Sequence, residues 1–542
     1  MNVAAVHSRQ RPRTKRKRSR KDDARSDTLS CWLNAHWELV TFSLVSLAAI
    51  LRVFDLSARP LHHDEGVNGF FMVSLFRDGL YRYNPTNYHG PFVYYCALLT
   101  STITSFFFGK EGLSTWSIRI VPALFGTAIV WLTLGLRRQL GIFGTFSATL
   151  LLVVSPGEVF FSRYFIHEIL FVCLALAVVV TGIRFQETHE SRYVTWIAVW
   201  LAFLCATKET WVITVAVLSV ALFLSTVIPV RQNSHGLARN SGSDKARRPE
   251  LKRPFLRTPE DRELIVRAVV VLCGIWVLLY SSFLANFPQG VYDSFATFNA
   301  WAKTASDAYV SPWFTYLKWL FQEESPSLIL GAIGVAMVLW RRDNRTRSFL
   351  AFWVLGMAIA YSLVPYKTPW LSLNISLPLA LLAGFCLNQF REFGLRQRST
   401  LLQILAAIVL AAAVALSGYQ AVDLSLYRYD DDSIAYSYAH TRKDFFGLLN
   451  DIQRAETDNQ LGRVAGITVM SPEHWPLFWY LRDNPNVAYE GKIVETNEPF
   501  VIAVDSQTSE VEQRFGERYH RRSAHDLRPG NRLVLYLRRD LK

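Results

Sequence analysis

The chain has 542 residues, 51% of them hydrophobic and 14% aromatic, and a formal net charge of +14. Its apolar residues gather into long runs separated by short polar ones, which argues against a soluble enzyme and for an integral membrane protein. The positive charge sits in an N-terminal tail and in short loops between apolar runs, where the positive-inside rule accounts for it, so no nucleic-acid partner is implied. Cys31, Cys96, Cys173, Cys205, Cys273 and Cys386 lie in or beside apolar runs and form no CxxC, which indicates neither a disulfide framework nor a zinc site.

Residues 1–35 contain RPRTKRKRSRK and lack hydrophobic periodicity, so they are expected to form a disordered basic cytoplasmic tail that can meet anionic membrane lipid. No short apolar segment with a small-residue cleavage site follows, and the first apolar run reads as a retained anchor. Runs of suitable length place helices near 36–54, 120–136, 142–160, 169–184, 194–207, 211–230, 266–284, 327–340, 348–364, 371–390 and 400–418.

Eleven crossings from a cytoplasmic N-terminus bring Arg137-Arg138, Arg184 to Arg192, the polar 231–265 linker, RRDNRTR and REFGLRQR to the side of the tail. Residues 91–108 (PFVYYCALLTSTITSFFF) are apolar enough to cross, but a crossing there turns those basic loops outward. They therefore read as an interfacial helix within a first external loop, 55–119, with a twelfth crossing as the alternative. The transmembrane domain spans 36–419.

From 420 to 542 the composition becomes that of a soluble domain, with strand-like SIAYSYAH, RVAGITVMS, PFVIAVDS and RLVLYLRR and helix-like KDFFGLLNDIQRAE and PEHWPLFWYLRD. An odd number of crossings makes this small α/β domain extracytoplasmic. The fold class is an α-helical polytopic membrane protein with a C-terminal α/β domain, expected in the inner (plasma) membrane.

The unusual polar residues converge on the external side. Arg59, His62, His63, Asp64, Glu65 and His89 lie in the first loop, Arg163, His167 and Glu168 after the third run, and Lys208 and Glu209 after the fifth. Lys303 and Asp307 fall in the loop 285–326, and PYKTPW supplies Tyr366, Lys367 and Trp370. Such a pocket at the membrane boundary suits group transfer from a lipid-linked donor, with a carboxylate as base on an acceptor hydroxyl and cations on the leaving phosphate. Asp64 is the candidate base, and Glu168 a carboxylate that orients the acceptor or shares its proton. Lys367, Arg59, Arg163 and Lys208 are phosphate-clamp candidates. Tyr366 and Trp370, with Tyr88 beside His89, are candidates for contact with sugar or acceptor.

Plainer readings stand beside these. Asp64-Glu65 reads equally as an acid pair at a helix start. His62, His63, Asp64 and His89 include metal-ligand types, but the adjacent residues point in different directions and show no HxxxH or HxH spacing, so no metal or other cofactor is expected. Lys208 and Lys367 also read as side chains snorkelling at helix ends.

The order of these motifs resembles a known group. An acidic pair in the first external loop, then YHGPFVYY, WSIRIVPALFGT and SRYFIHE, is similar to the membrane glycosyltransferases of the C superfamily (GT-C), in the protein O-mannosyltransferase and lipid A aminoarabinose transferase clan. KETW, PYKTPWL, YSYAHTRKD and SPEHWPLFWYLRD look closer still to a bacterial and archaeal subfamily of flippase-associated, glycosyltransferase-like proteins, over roughly residues 36–540.

The resemblance implies an inverting enzyme that moves a hexose or pentose from a polyprenyl-phosphate donor to a lipid, glycan or protein acceptor on the extracytoplasmic face. It implies that Asp64 is the catalytic aspartate, Glu65 its partner, His89 a donor-phosphate residue and Glu168 the acidic residue of the second external loop. The mannosyltransferase branch carries MIR domains that are absent here, which puts a protein acceptor in doubt. A lipid-linked oligosaccharide flippase, or its non-catalytic partner, is the competing class; it predicts internal repeats and charges at mid-membrane depth, and neither is evident.

Overall fold

The computed structural model describes residues 28–87, 89–231, 258–307, 311–462 and 464–541. The basic tail to residue 27, most of the 231–265 linker, Tyr88, and the side chains of Lys303 and Asp307 lie outside the described residues.

A short helix α1 (Thr28–Ala35) precedes α2 (Trp37–Val53), and the first loop then contributes α3 (His63–Asp78) and α4 (Phe92–Phe108). The bundle continues with α5 (Thr115–Leu134), α6 (Arg137–Leu140), α7 (Ile142–Val154), α8 (Pro156–Phe161), α9 (Glu168–Thr188), α10 (Arg192–Cys205) and α11 (Trp211–Val227). After the linker come α12 (Pro259–Tyr280), α13 (Gln289–Asp307), α14 (Thr315–Glu323), α15 (Ser325–Arg341), α16 (Arg345–Leu363), α17 (Leu373–Arg396) and α18 (Thr400–Val422). Each of the eleven apolar windows is helical. Among the described residues, six helices are long and apolar enough to cross a membrane singly, and two bent pairs raise that number to eight. The chain is a multi-pass membrane protein.

Helix α17 is the axis of the bundle, 94% of its apolar window being buried. Small residues make this possible: Gly331 and Gly334 of α15 sit so close to α17 that an added Cβ would meet the carbonyl oxygens of Leu379 and Leu382 at 2.6 and 2.2 Å. On the other side Gly144 of α7 faces Gly384. Where chains approach backbone to backbone in an apolar medium, packing replaces the hydrophobic drive as the source of association.

Helix α4 is tied to the bundle at its start and along its length. Before it, the Gly90 and Phe92 N–H groups donate to Thr207 and Ala206 beyond α10, at 3.1 and 3.0 Å. Its second half donates through Thr100 to Ser117 at the start of α5, at 2.7 Å.

The C-terminal region holds a five-stranded sheet in the order β2-β1-β3-β5-β4, built from β1 (Ile467–Val469), β2 (Val487–Tyr489), β3 (Phe500–Val504), β4 (Tyr519–Arg528) and β5 (Asn531–Arg538). Strand β1 runs parallel to β2 and β3, while β5 is antiparallel to β3 and β4. Helices α19 (Phe445–Asp458), α20 (Leu477–Leu481) and α21 (Thr508–Phe515) cover it.

Two expectations change here. SIAYSYAH is no strand: it forms a 3-10 turn at Ala435–Ser437, and its alternating Tyr436 and His440 are buried against the bundle instead of a sheet. Strand β4 (YHRRSAHDLR) went unread because it is a charged edge strand, the composition that discourages further pairing.

Candidate active site

The segment Leu61 to Glu65 is held by hydrogen bonds at the start of α3. His62 caps α3, its Nδ1 accepting from the Asp64 N–H at 3.1 Å, and Glu65 Oε2 accepts from the His62 N–H at 2.9 Å. Successive residues on a helix point about 100° apart, so adjacent carboxylates cannot share an environment. They do not.

Glu65 turns inward and is fully buried. Arg119 donates to both its oxygens at 2.7 Å, and the Phe165 N–H donates to Oε1 at 2.7 Å. Burial alone would raise its carboxyl, but Arg119 outweighs this and holds it below its ordinary 4.5. Asp64 turns outward into a cavity of 280 Å³. Among the described residues, no hydrogen bond or ion pair holds its carboxylate.

The opposite wall comes from the start of α9 and the turn between α10 and α11. Lys208 Nζ donates to Glu168 Oε2 at 2.7 Å, and Asn374 donates to the other oxygen of Glu168. His89 Nδ1 meets Glu209 Oε2 at 3.0 Å, and its ring lies 4.8 Å from that of His167. His89 and Lys208 are joined by an antiparallel bridge, which is why glycine follows: a Cβ on Gly90 would stand 2.1 Å from the Ala206 carbonyl oxygen. Burial pulls the Lys208 ammonium down, but Glu168 and Glu209 outweigh it and hold it above its ordinary range. Burial, with His89 and Lys208 nearby, pushes His167 well below its usual value, so its imidazole is neutral. Tyr366 and Trp370 complete the cavity.

Of the residues expected at the site, the fold therefore brings together Asp64, Glu168, His89, Lys208, Tyr366 and Trp370. It turns four others away. Glu65 is spent on Arg119. Arg59 lies 4.1 Å above the Tyr164 ring and donates to the Arg163 carbonyl at 2.6 Å. Arg163 donates to the carbonyls of Phe54 and Asp55. Lys367 Nζ donates to the carbonyls of Tyr361, Ser362 and Val364 at 3.1, 3.0 and 2.6 Å, closing the C-terminus of α16. These four lie behind the wall and do not face the cavity.

Two contributors, Asn374 and Arg119, were not singled out from the sequence, and Glu209 was named beside Lys208 without a role. Glu209 and Asn374 hold the cation and carboxylate of the far wall, and Arg119 anchors Glu65. Of the two that were missed, Arg119 carried a signal, as a lone charge inside the apolar WSIRIVPALF. The soluble region also reaches in: Arg528 of β4 donates to His63 Nδ1 at 2.6 Å and pairs with Glu473, and Trp479 of α20 packs on Gly69 of α3.

The candidate metal set disperses. His62 stacks on His440 at 5.7 Å, His63 takes Arg528, and His89 takes Glu209. Among the described residues no three His, Cys, Asp or Glu side chains gather as a metal group.

No protein-family model matches the sequence, and no curated protein sequence does. Solved structures do. The chain superposes on ArnT from Cupriavidus metallidurans bound to undecaprenyl phosphate with a TM-score of 0.63 at 13% identity, covering 91% of this chain and 97% of that one. The apo form of the same protein gives 0.62 at 14%, over 93% and 98%. The archaeal oligosaccharyltransferase AglB from Archaeoglobus fulgidus, in complex with an inhibitory peptide and a dolichol-phosphate, gives 0.54 at 13%, over 88% and 70%. The chain has the fold of the GT-C membrane glycosyltransferases.

Proposed function

We propose that the protein is an inverting glycosyltransferase that takes sugar from a polyprenyl-phosphate donor. The observation that carries this is the split of the acid pair: Glu65 is consumed by the scaffold, while the neighbouring Asp64 presents an uncommitted carboxylate to a cavity whose far wall holds the Lys208 ammonium between Glu168 and Glu209. Asp64 accepts the proton of an acceptor hydroxyl as that oxygen bonds to the anomeric carbon. The bond from that carbon to the phosphate oxygen breaks on the opposite side, and the polyprenyl phosphate leaves with the electron pair. Lys208, held charged by Glu168 and Glu209, stabilises the departing phosphate, and His89 borders the same place. Tyr366 and Trp370 offer aromatic faces to the sugar or acceptor.

This reading places the cavity on the extracytoplasmic face and the C-terminal region, whose Arg528 touches His63, beside it. The acceptor is a lipid, glycan or protein bearing a hydroxyl. The test is turnover of a polyprenyl-phosphate sugar by purified protein, with Asp64→Asn as the comparison. An Asp64→Asn variant that transfers sugar at the wild-type rate rejects the proposal.

A further inference from the structure

A second polar cavity, of 560 Å³, opens at the other end of the bundle, between the end of α15, the start of α16 and the last turns of α17. Arg138, Arg231, Arg341, Arg347 and Arg396 line it against only Asp343 and Glu392, a surplus of three positive charges. Each carboxylate pairs with one arginine, and Arg138 pairs at 3.3 Å with Glu187 beyond the lining, a carboxylate it shares with Arg184 at 3.1 Å. Glu392 accepts from Asn388 and Gln389 at 2.8 and 3.4 Å, and its approach to Arg396 is 3.6 Å. Asp343 lies 3.5 Å from Arg347.

Scattered basic residues at helix ends need no ligand to explain them, but this group is built. Arg347 is held over the Phe385 ring at 5.0 Å, and its Nε is buried without a protein partner. Arg341 is braced by Gln389. Each guanidinium has five N–H donors in a fixed fork, suited to phosphate oxygens. The mouth is bordered by Trp340, 79% exposed on the flank of α15, the kind of aromatic that sits at headgroup level.

We propose that this cavity binds the headgroup of an anionic membrane lipid, preferably one carrying two phosphodiesters, with its acyl chains lying along Trp340. Three surplus cations match a dianionic headgroup better than a single phosphodiester, and basic pockets between helices at this boundary recognise such lipids. Inorganic pyrophosphate shares the phosphate chemistry but has nothing to lay against Trp340. The inference does not rest on the reading of the Asp64 cavity, which lies at the opposite end of α17.

The experiment is native mass spectrometry of the full chain in neutral detergent, titrated with cardiolipin, with phosphatidylcholine, and with inorganic pyrophosphate. Cardiolipin is expected to bind at least about tenfold more tightly than phosphatidylcholine and to resist displacement by equimolar pyrophosphate. Arg138→Gln with Arg396→Gln, whose side chains are 73% and 75% exposed and so removable without disturbing packing, should lower cardiolipin affinity about tenfold or more. Arg77→Gln, an exposed arginine at the other end, should leave it unchanged. Equal binding of the two lipids, a cardiolipin preference that survives the double substitution, or tighter binding of pyrophosphate than of cardiolipin each overturns the proposal.

Discussion

The wall of the Asp64 cavity and the layer directly behind it contain the same kinds of charged residue, yet they are bonded differently. In the layer behind, Arg59, Arg163 and Lys367 end on backbone carbonyls, and Glu65 is closed off by Arg119 and two backbone N–H groups. Facing the cavity, Lys208 and His89 are matched to the side chains of Glu168 and Glu209, and Asp64 to none. Charges that terminate on the backbone fix the chain path of the first loop and of the turn after α16. Polar groups paired with other side chains at a cavity surface can exchange those partners for a ligand.

The largest effect that would break this contrast is at Asp64. Replacing it with Asn removes the base and leaves the capping N–H of the same residue in place, so the melting temperature in detergent should stay within a degree or two. Transfer from a polyprenyl-phosphate sugar should fall by roughly two to four orders of magnitude, the usual worth of a positioned base.

Glu65→Gln should do the reverse, lowering stability first. It strands Arg119 in a buried site, and breaking such a pair costs about 3 to 5 kcal/mol. The sign with pH follows from the carboxyl's position below 4.5 in the folded chain. Its contribution is complete above the unfolded value and disappears as pH falls through the lower folded value. Thermal melts on acidification below 4.5 should therefore lose an increment of stability in the wild type that Glu65→Gln no longer has to lose. Equal slopes for the two proteins would contradict the assignment of Glu65 to the scaffold.

These two residues also show what could be read before folding. The HHDEG motif and the helices of the bundle were visible from residue type and hydropathy, because the membrane imposes lengths on sequence. Asp64 was chosen as the base, but that Glu65 turns away to Arg119 was not visible, since both are carboxylates and only the phase of α3 separates them. For Lys367 the sequence offered flanking proline and tryptophan, which do fix its geometry, but toward the carbonyls closing α16. Asn374 gave no signal, being a polar residue in an apolar run whose partner, Glu168, is 206 positions away.

At Lys208 a smaller effect is expected. Lys208→Met removes a charge-assisted contact worth about 1.5 to 3 kcal/mol and should raise the donor KM by roughly ten- to a hundredfold. It also leaves Glu168 buried without its cation, so the variant should melt lower. Adding Glu168→Gln should recover melting temperature but not donor affinity. Recovery of both would make the pair structural and move it into the layer behind the cavity.

Lys367 gives the smallest and most discriminating comparison, because it is the same residue type at the same end of the bundle. Its ammonium closes the last carbonyls of α16, an interaction worth about 1 kcal/mol at a helix C-terminus. Lys367→Met should therefore lower the melting temperature slightly. Donor KM and turnover should stay within about twofold, since no phosphate contact is removed. A tenfold rise in donor KM, with the melting temperature unchanged, would show that Lys367 leaves the helix end to meet the donor, and the division between cavity wall and scaffold would have to be redrawn around it.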